Sequence, residues 1–410
     1  KRLDKKFSVK IIKQLDSESL EKEMRRNEKE ILLFSDLGSS SLEYFKNLKQ
    51  PVFILDHHEI DKQQIENNEM IKKGKLNIVN PHMFEQETCG AGLCYLFSTS
   101  ICEKNKDMAR LAIMGIVGDR QDSNLSKINQ QIINETEELT IKKSLMLYPA
   151  TRPLRRALEY STSPYIPGVT GSSQGVLELL RETQIPANKT LAELDKDEIS
   201  KLITAIMLRT TKQESQQNII GNLYLLKFFN TKEDARELST LINACSRLGY
   251  PDTAISFCLE NTKAKNQAQD IYTKYKQQLV SGLKTIENIE KIKGNGFVIM
   301  NARDEIKDTI IGTITSILSS SLNYDEGTVL IGMAYNQDKI KVSARIAGRE
   351  GRNLKQVLEK TITNFRKKQQ DINAEVGGHQ AAAGCLIQRD KEKEFIDELK
   401  RNLEIEVMKV

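Results

Sequence analysis

Over the first 120 residues, short apolar runs alternate with stretches of helical periodicity. Residues 7–15 read as a strand, and Ser17 or Ser19 caps a polar helix reaching Glu30. A short apolar strand at 31–34 ends in Ser35-Asp36-Leu37-Gly38, a second at 52–55 in Asp56-His57-His58, and a third at 76–79 in Asn80-Pro81-His82. Helices are predicted from about 91 to 102 and from about 108 to 117, the second followed by Gly118-Asp119. This alternation predicts an α/β fold with a parallel sheet covered on both faces. Ligands in such sheets gather at the carboxyl ends of the strands, where Asp36 and Asp56-His57-His58 stand.

From about 165 to 290 strands largely give way to helical periodicity, after a loop with Pro164, Pro167, Gly168 and Gly171 that marks a boundary. Residues 266–292 read as one long, charged, amphipathic helix. Alternation then resumes: strand 297–301, helix 309–322, strands 328–334 and 340–346, helix 354–368, strand 385–387 and a charged terminal helix. The expected organisation is an α/β domain over 1–160, a helical insertion and connector over 165–290, and a second, smaller α/β domain over 294–410.

A chain of 410 residues, 39% hydrophobic and without tryptophan, can bury a proper core. Its net charge of +5 neither demands nor excludes a nucleic-acid partner. Basic clusters exist at Lys1, Arg2, Lys5 and Lys6, at Arg152, Arg155 and Arg156, at Arg345, Arg349 and Arg352, and at Arg366, Lys367 and Lys368; each reads as a solvated face unless it adjoins a motif. The six cysteines form no CxxC pair and sit mostly in apolar stretches, as reduced, buried residues of a cytoplasmic protein do. No run approaches the ~20 apolar residues that span a bilayer. The chain begins with Lys rather than Met and reads as a fragment.

Three of the four histidines stand in two signatures near opposite ends, which suggests a site assembled from two domains. Asp36, His57, His58 and Asp119 offer carboxylate oxygen and imidazole nitrogen, a donor set suited to Mn²⁺ or Mg²⁺, whereas structural zinc more often takes thiolates. An aspartate can bridge two cations, and two cations can clamp a phosphoryl oxygen and generate hydroxide for in-line attack. Spacing alone does not prove that these side chains converge.

Taken together, Asp36-Leu37-Gly38, Asp56-His57-His58, Gly118-Asp119 and Gly377-Gly378-His379-Gln380-Ala381-Ala382-Ala383-Gly384 resemble, in order, the motifs of the DHH phosphoesterase superfamily, and more closely its RecJ-like nucleases. The middle region, with Asn243–Gly249, residues 164–168 and Asn80-Pro81-His82, is similar to the archaeal GINS-associated nucleases. The resemblance implies a metal-binding catalytic domain over 1–160 and a substrate-binding, DHH-associated domain over 294–410. It implies that Asp36 bridges two Mn²⁺ (or Mg²⁺) ions, that His57 and Asp119 complete one ion's shell, that Asp56 orients a histidine from behind, and that His58 faces the scissile phosphate. In the last domain Gly377 and Gly378 would let backbone N–H groups approach a phosphate, His379 would add a hydrogen bond, and Arg345 would hold the phosphate by its planar fork. The alternative for Arg345 is a surface residue on an edge strand, and for His82 a loop residue without a role.

The family's opening Asp-x-Asp is absent, and Asp4, set among Arg2, Lys5 and Lys6, is a poor substitute. The leading expectation is a metal-dependent exonuclease on single-stranded DNA or RNA, in DNA replication or repair. The alternatives are a replication scaffold that keeps the fold and binds GINS-type partners, and a small-nucleotide phosphodiesterase.

Overall fold

The computed structural model describes residues 5–12, 20, 31–39, 42–45, 50–60, 62–147, 149–161, 166–209, 220–320, 324–348, 351–368 and 376–405. Lys1, Arg2, Asp4, Ser17, Ser19, Pro164, Tyr165 and Arg349 lie outside these. The chain divides into two compact units, the first comprising Lys1–Asn243 and Pro251–Lys265, the second Ala244–Tyr250 and Asn266–Val410. No helix among the described residues is long and apolar enough to cross a membrane.

In the first unit, β1 (Leu32–Ser35), β2 (Val52–Leu55) and β3 (Leu76–Val79) form a parallel sheet in that order, with Leu32 opposite Val52 and Val52 opposite Leu76. The short helices α1 (Lys62–Glu66) and α2 (Glu69–Lys72) fall between β2 and β3. Leu42, Phe45, Val52, Ile54 and Leu76 are buried in one cluster, and Phe34 meets Phe45 edge-on at 5.2 Å. Burying each such side chain stabilises the fold by about 1.5–3 kcal/mol. Helices α3 (Gly90–Ile101), α4 (Ala109–Gly118) and α5 (Lys127–Glu135) follow.

Three expectations need correction. Residues 7–12 alternate like a strand, but the described part is irregular, with Phe7 and Val9 well exposed; residues 13–15 are outside the description. The region read as helical also contains a sheet. β4 (Leu139–Leu145) pairs antiparallel with β5 (Ile220–Phe228), which pairs with β6 (Thr231–Asp234). This sheet borders a core with α6 (Leu154–Glu159), α7 (Ser173–Thr183) and α8 (Lys196–Arg209), where Leu145, Leu179, Leu202 and Leu225 are buried together. Because β4 lies before residue 160 and β5 after it, that expected boundary is crossed by main-chain hydrogen bonds. Finally, the long helix runs Thr262–Asn288, four residues earlier at each end than residues 266–292. It follows α9 (Ala235–Arg247) and α10 (Pro251–Cys258) as α11.

The second unit is built on a six-stranded sheet of order β11-β12-β10-β9-β8-β7, with β7 (Lys291–Gly294), β8 (Phe297–Asn301), β9 (Val329–Asn336), β10 (Lys339–Ile346), β11 (Val376–His379) and β12 (Ala382–Gln388). Only the β8–β9 pair is parallel. Ile340, Val342, Ala344 and Ile346 alternate onto one face, where they join Leu358, Phe365, Phe395 and Leu399 of α13 (Leu354–Lys368) and α14 (Glu392–Ile405). The intervening Lys341, Ser343 and Arg345 belong to the opposite face, which α12 (Asp308–Ser319) approaches closely enough that a Cβ on Gly312 would lie 3.2 Å from Ser343 Oγ.

Candidate functional site

β1 ends where Asp36 takes a left-handed backbone, φ 64°, while its amide still donates to the Leu55 carbonyl at 2.8 Å. Aspartate tolerates this conformation better than bulky residues do. β2 ends in Asp56, whose amide extends the ladder to Val79. The strand ends thereby bring Asp36, His57 and His58 together, one ligand atom from each lying within 4.8 Å of the others. His57 Nε2 is 3.2 Å from Asp36 Oδ1 and 3.9 Å from Asp119 Oδ2. Asp119, at the C-terminus of α4, therefore stands at the rim of the cluster.

Asp56 is 1% exposed. Its Oδ1 accepts from His58 Nδ1 at 2.7 Å, and its Oδ2 accepts from the Ser39 amide at 2.8 Å. Burial opposes its charge, but the His58 hydrogen bond and the Ser39 amide outweigh that and hold the carboxyl down at about 2. The same bond raises the His58 pKa, and Asp36 raises that of His57. Two imidazoles each fixed beside a carboxylate suit cation binding, since the partner orients the ring and increases its basicity.

Three further residues, which carried no role in the sequence reading, complete the arrangement. Asn80 donates from Nδ2 to Ser39 Oγ at 3.0 Å and to the His58 carbonyl at 2.9 Å. Its Oδ1 accepts from the His82 amide, as the cap of the one-turn helix Pro81–Phe84. Asn-Pro ahead of a helix is a readable cap signature. His82 is not an idle loop residue, because its Nε2 donates to the His57 carbonyl at 3.0 Å. Gly90, at the start of α3, faces Asp36 so closely that a Cβ there would lie 2.5 Å from Oδ1. Nothing in the local sequence pairs Gly90 with Asp36. Cys89 beside it is buried and its thiol is pushed up to about 12, so it offers no thiolate.

In the second unit Arg345 sits on β10 between β12 and β9, an interior strand rather than an edge. Ala382 of β12 is registered with Arg345 on one side and His379 of β11 on the other, so both residues flank one alanine. Arg345 donates from Nε to Ser316 Oγ at 2.8 Å and from Nη1 to the Ala344 carbonyl at 2.7 Å. The two glycines of the motif differ. Gly378 has φ 123°, and a Cβ there would meet the Ala382 carbonyl at 2.4 Å, so the hairpin itself requires it. Gly377 has open space where a side chain would be. Lys341 lies on the Arg345 face; burial lowers its pKa and that of Arg345, and the charge of Arg247 lowers both further. No ion pair among the described residues joins these three cations to a carboxylate.

Residues 147–224 match the model of the DHH-CID domain, and residues 294–404 that of the DHHA1 domain. The chain thus carries DHH-CID and DHHA1 domains, and its fold is shared with RecJ. An uncharacterized protein of Methanocaldococcus jannaschii is 29% identical over 407 residues, covering 96% of this chain and 86% of that protein. The structure of CDC45 from Entamoeba histolytica superposes with a TM-score of 0.60 at 11% identity, covering 94% of this chain and 88% of that one. RecJ from Thermus thermophilus, solved with Mn²⁺, gives 0.54 at 16% identity over 94% of this chain and 46% of that chain. This chain thus spans about half of that RecJ but most of CDC45.

Proposed function

We propose that this protein is a metal-dependent phosphodiesterase of single-stranded nucleic acid, a nuclease of the RecJ type working in replication or repair. The observation that carries the reading is the convergence of Asp36, His57 and His58, with Asp56 locked behind His58. Two imidazoles and open carboxylates, with no thiolate, fit Mn²⁺ or Mg²⁺. Asp36, His57 and Asp119 would hold the cation, and the two oxygens of Asp36 make it the residue to share with a second ion. A bound cation of this kind supplies charge neutralisation at the phosphoryl oxygen and a water acidic enough to act as nucleophile. His58, its ring fixed through Nδ1, would present its other nitrogen to the phosphate. Arg345, His379, Gly377 and Gly378 would serve the phosphate of the strand, with the half-buried charge of Arg345 compensated when an anion arrives.

A second reading, a Cdc45-like scaffold without chemistry that assembles with GINS-type proteins, is favoured by the near-complete overlap with the CDC45 fold. It gives no reason for an ordered acid–imidazole cluster. The residues from 165 to 290 would then be the docking region for such partners in either reading.

Calorimetric titration with Mn²⁺, run beside cleavage of a single-stranded oligonucleotide, separates the two. Saturable binding is expected, with chelator-sensitive cleavage that is weak because the opening Asp-x-Asp is absent, and Asp36→Ala should abolish the binding and lower the cleavage rate by about 10³ or more. Binding that survives Asp36→Ala overturns the metal centre. Binding without cleavage favours the scaffold.

A further inference from the structure

Beside the metal centre runs an apolar groove of about 350 Å³, walled by Val79, Phe84, Leu93, Leu96 and Phe97, with Asn80 and Gln86 among its polar groups. That volume lies at the small end of ligand pockets, roughly 300–1,000 Å³. Its two walls differ in rigidity. Phe97 is fixed on α3 against Phe53 of the sheet, ring centroids 6.2 Å apart. Phe84 ends the one-turn helix Pro81–Phe84 and is 68% exposed, a large aromatic face left in water. The groove and the metal centre share Asn80. Its side chain caps the helix that carries Phe84 and also donates to the carbonyl of His58, while His82 of the same turn donates to the carbonyl of His57. The turn that carries Phe84 is thereby tied by hydrogen bonds to the backbone of both histidines.

We propose that this groove seats a nucleobase of the substrate strand, on the nucleotide next to the phosphate held at Asp36, His57 and His58, with the base stacked on Phe84. This rests on the nuclease reading above. Every base has a π-face, and stacking on an aromatic side chain needs no particular hydrogen-bonding edge. Walls made almost wholly of hydrocarbon would accept purines and pyrimidines alike, and Gln86 is the side chain able to bias the choice. An apolar peptide of a partner protein is the competing occupant. It would have no reason to lie against the residues that orient His57 and His58.

The test uses single-stranded oligonucleotides with 2-aminopurine walked through successive positions, bound to the full chain in Mn²⁺. One position should show strong quenching. Phe84→Ala should abolish it and weaken binding about tenfold, whereas Phe84→Tyr should retain both. An abasic nucleotide at that position should weaken wild-type binding equally and leave the Phe84→Ala variant unaffected. Quenching that persists in Phe84→Ala, or additive losses from the two changes, overturns the base seat. If the strand binds and Asp36→Ala still loses Mn²⁺, that outcome leaves the nuclease reading standing and hands the groove to a protein partner. Absence of any strand binding removes both.

Discussion

The two compact units gather opposite charge by different means. In the first, three short parallel strands end together, and carboxylates and imidazoles collect at the ends, partly open to solvent. In the second, an antiparallel hairpin and an interior strand carry half-buried cations, Lys341 and Arg345, on one face of the sheet. The first arrangement satisfies its charges internally: Asp56 with His58 and Ser39, Asp36 with His57. The second leaves its charges without carboxylate partners among the described residues. A carboxylate–imidazole cluster suits a cation, and half-buried cations without an ion pair, with Asp308 the one carboxylate whose charge acts on Lys341, suit an anion. Under the proposed function, the first unit would take the metal and the second the phosphate.

The sharpest way to break that division is Gly90→Ala. The new methyl would fall on Asp36 Oδ1, so the carboxylate must turn away. Mn²⁺ affinity should fall roughly 100-fold, in the range seen when ligand orientation is lost. Helix α3 should not weaken, because alanine favours a helix over glycine by about 1 kcal/mol. Unchanged Mn²⁺ binding in calorimetry would show that Asp36 is not a ligand.

Next in size is the Asp56–His58 lock. The carboxyl is held at about 2 in the fold against its ordinary 3.8, so it stabilises the native state fully above 3.8 and loses that effect as pH falls through about 2. Wild type should exceed Asp56→Asn by about 2 kcal/mol in urea denaturation at neutral pH. The gap should close as the pH drops across that window. A gap that stays constant down to pH 2 would mean the charge of Asp56 is not what the fold uses.

The smallest effect sharpens the other half. Arg345→Ala should weaken oligonucleotide binding about tenfold, as loss of a charge-assisted contact does, and leave Mn²⁺ affinity unchanged. Its stability should change little, because the half-buried guanidinium has no carboxylate partner and its hydrogen bonds to Ser316 and the Ala344 carbonyl are what is lost. Loss of Mn²⁺ binding in this variant would contradict the division of labour between the units.

Much of this was legible in the chain. Runs such as Val52–Leu55 are too short for a helix and end abruptly in Asp56-His57-His58, so the strand ends could be read directly. Leu354–Lys368 follows its helical period to both ends. The β4–β5–β6 sheet was missed because the apolar run of β5, residues 223–226, is short and without alternation, and periodicity alone cannot separate such a run from a buried helix. Residues 7–12 show the reverse error: alternation without a described strand beside them to accept their hydrogen bonds. At the site, the ligand-type residues stood out by chemistry. Gly90 and Ser39 did not, and Asn80 was marked only as part of Asn80-Pro81-His82, since their importance lies in which atoms the fold brings against them.

The sheet that crosses residue 160 has a consequence for anyone wishing to isolate the DHH-CID domain. Cutting at residue 147 removes β4, and stopping at 224 divides β5 and discards β6. The excised piece would carry a truncated strand with both flanks bare, an invitation to pair with its own copies and aggregate. A soluble fragment should instead begin before Leu139 and continue past Asp234, keeping the three strands as one indivisible clasp.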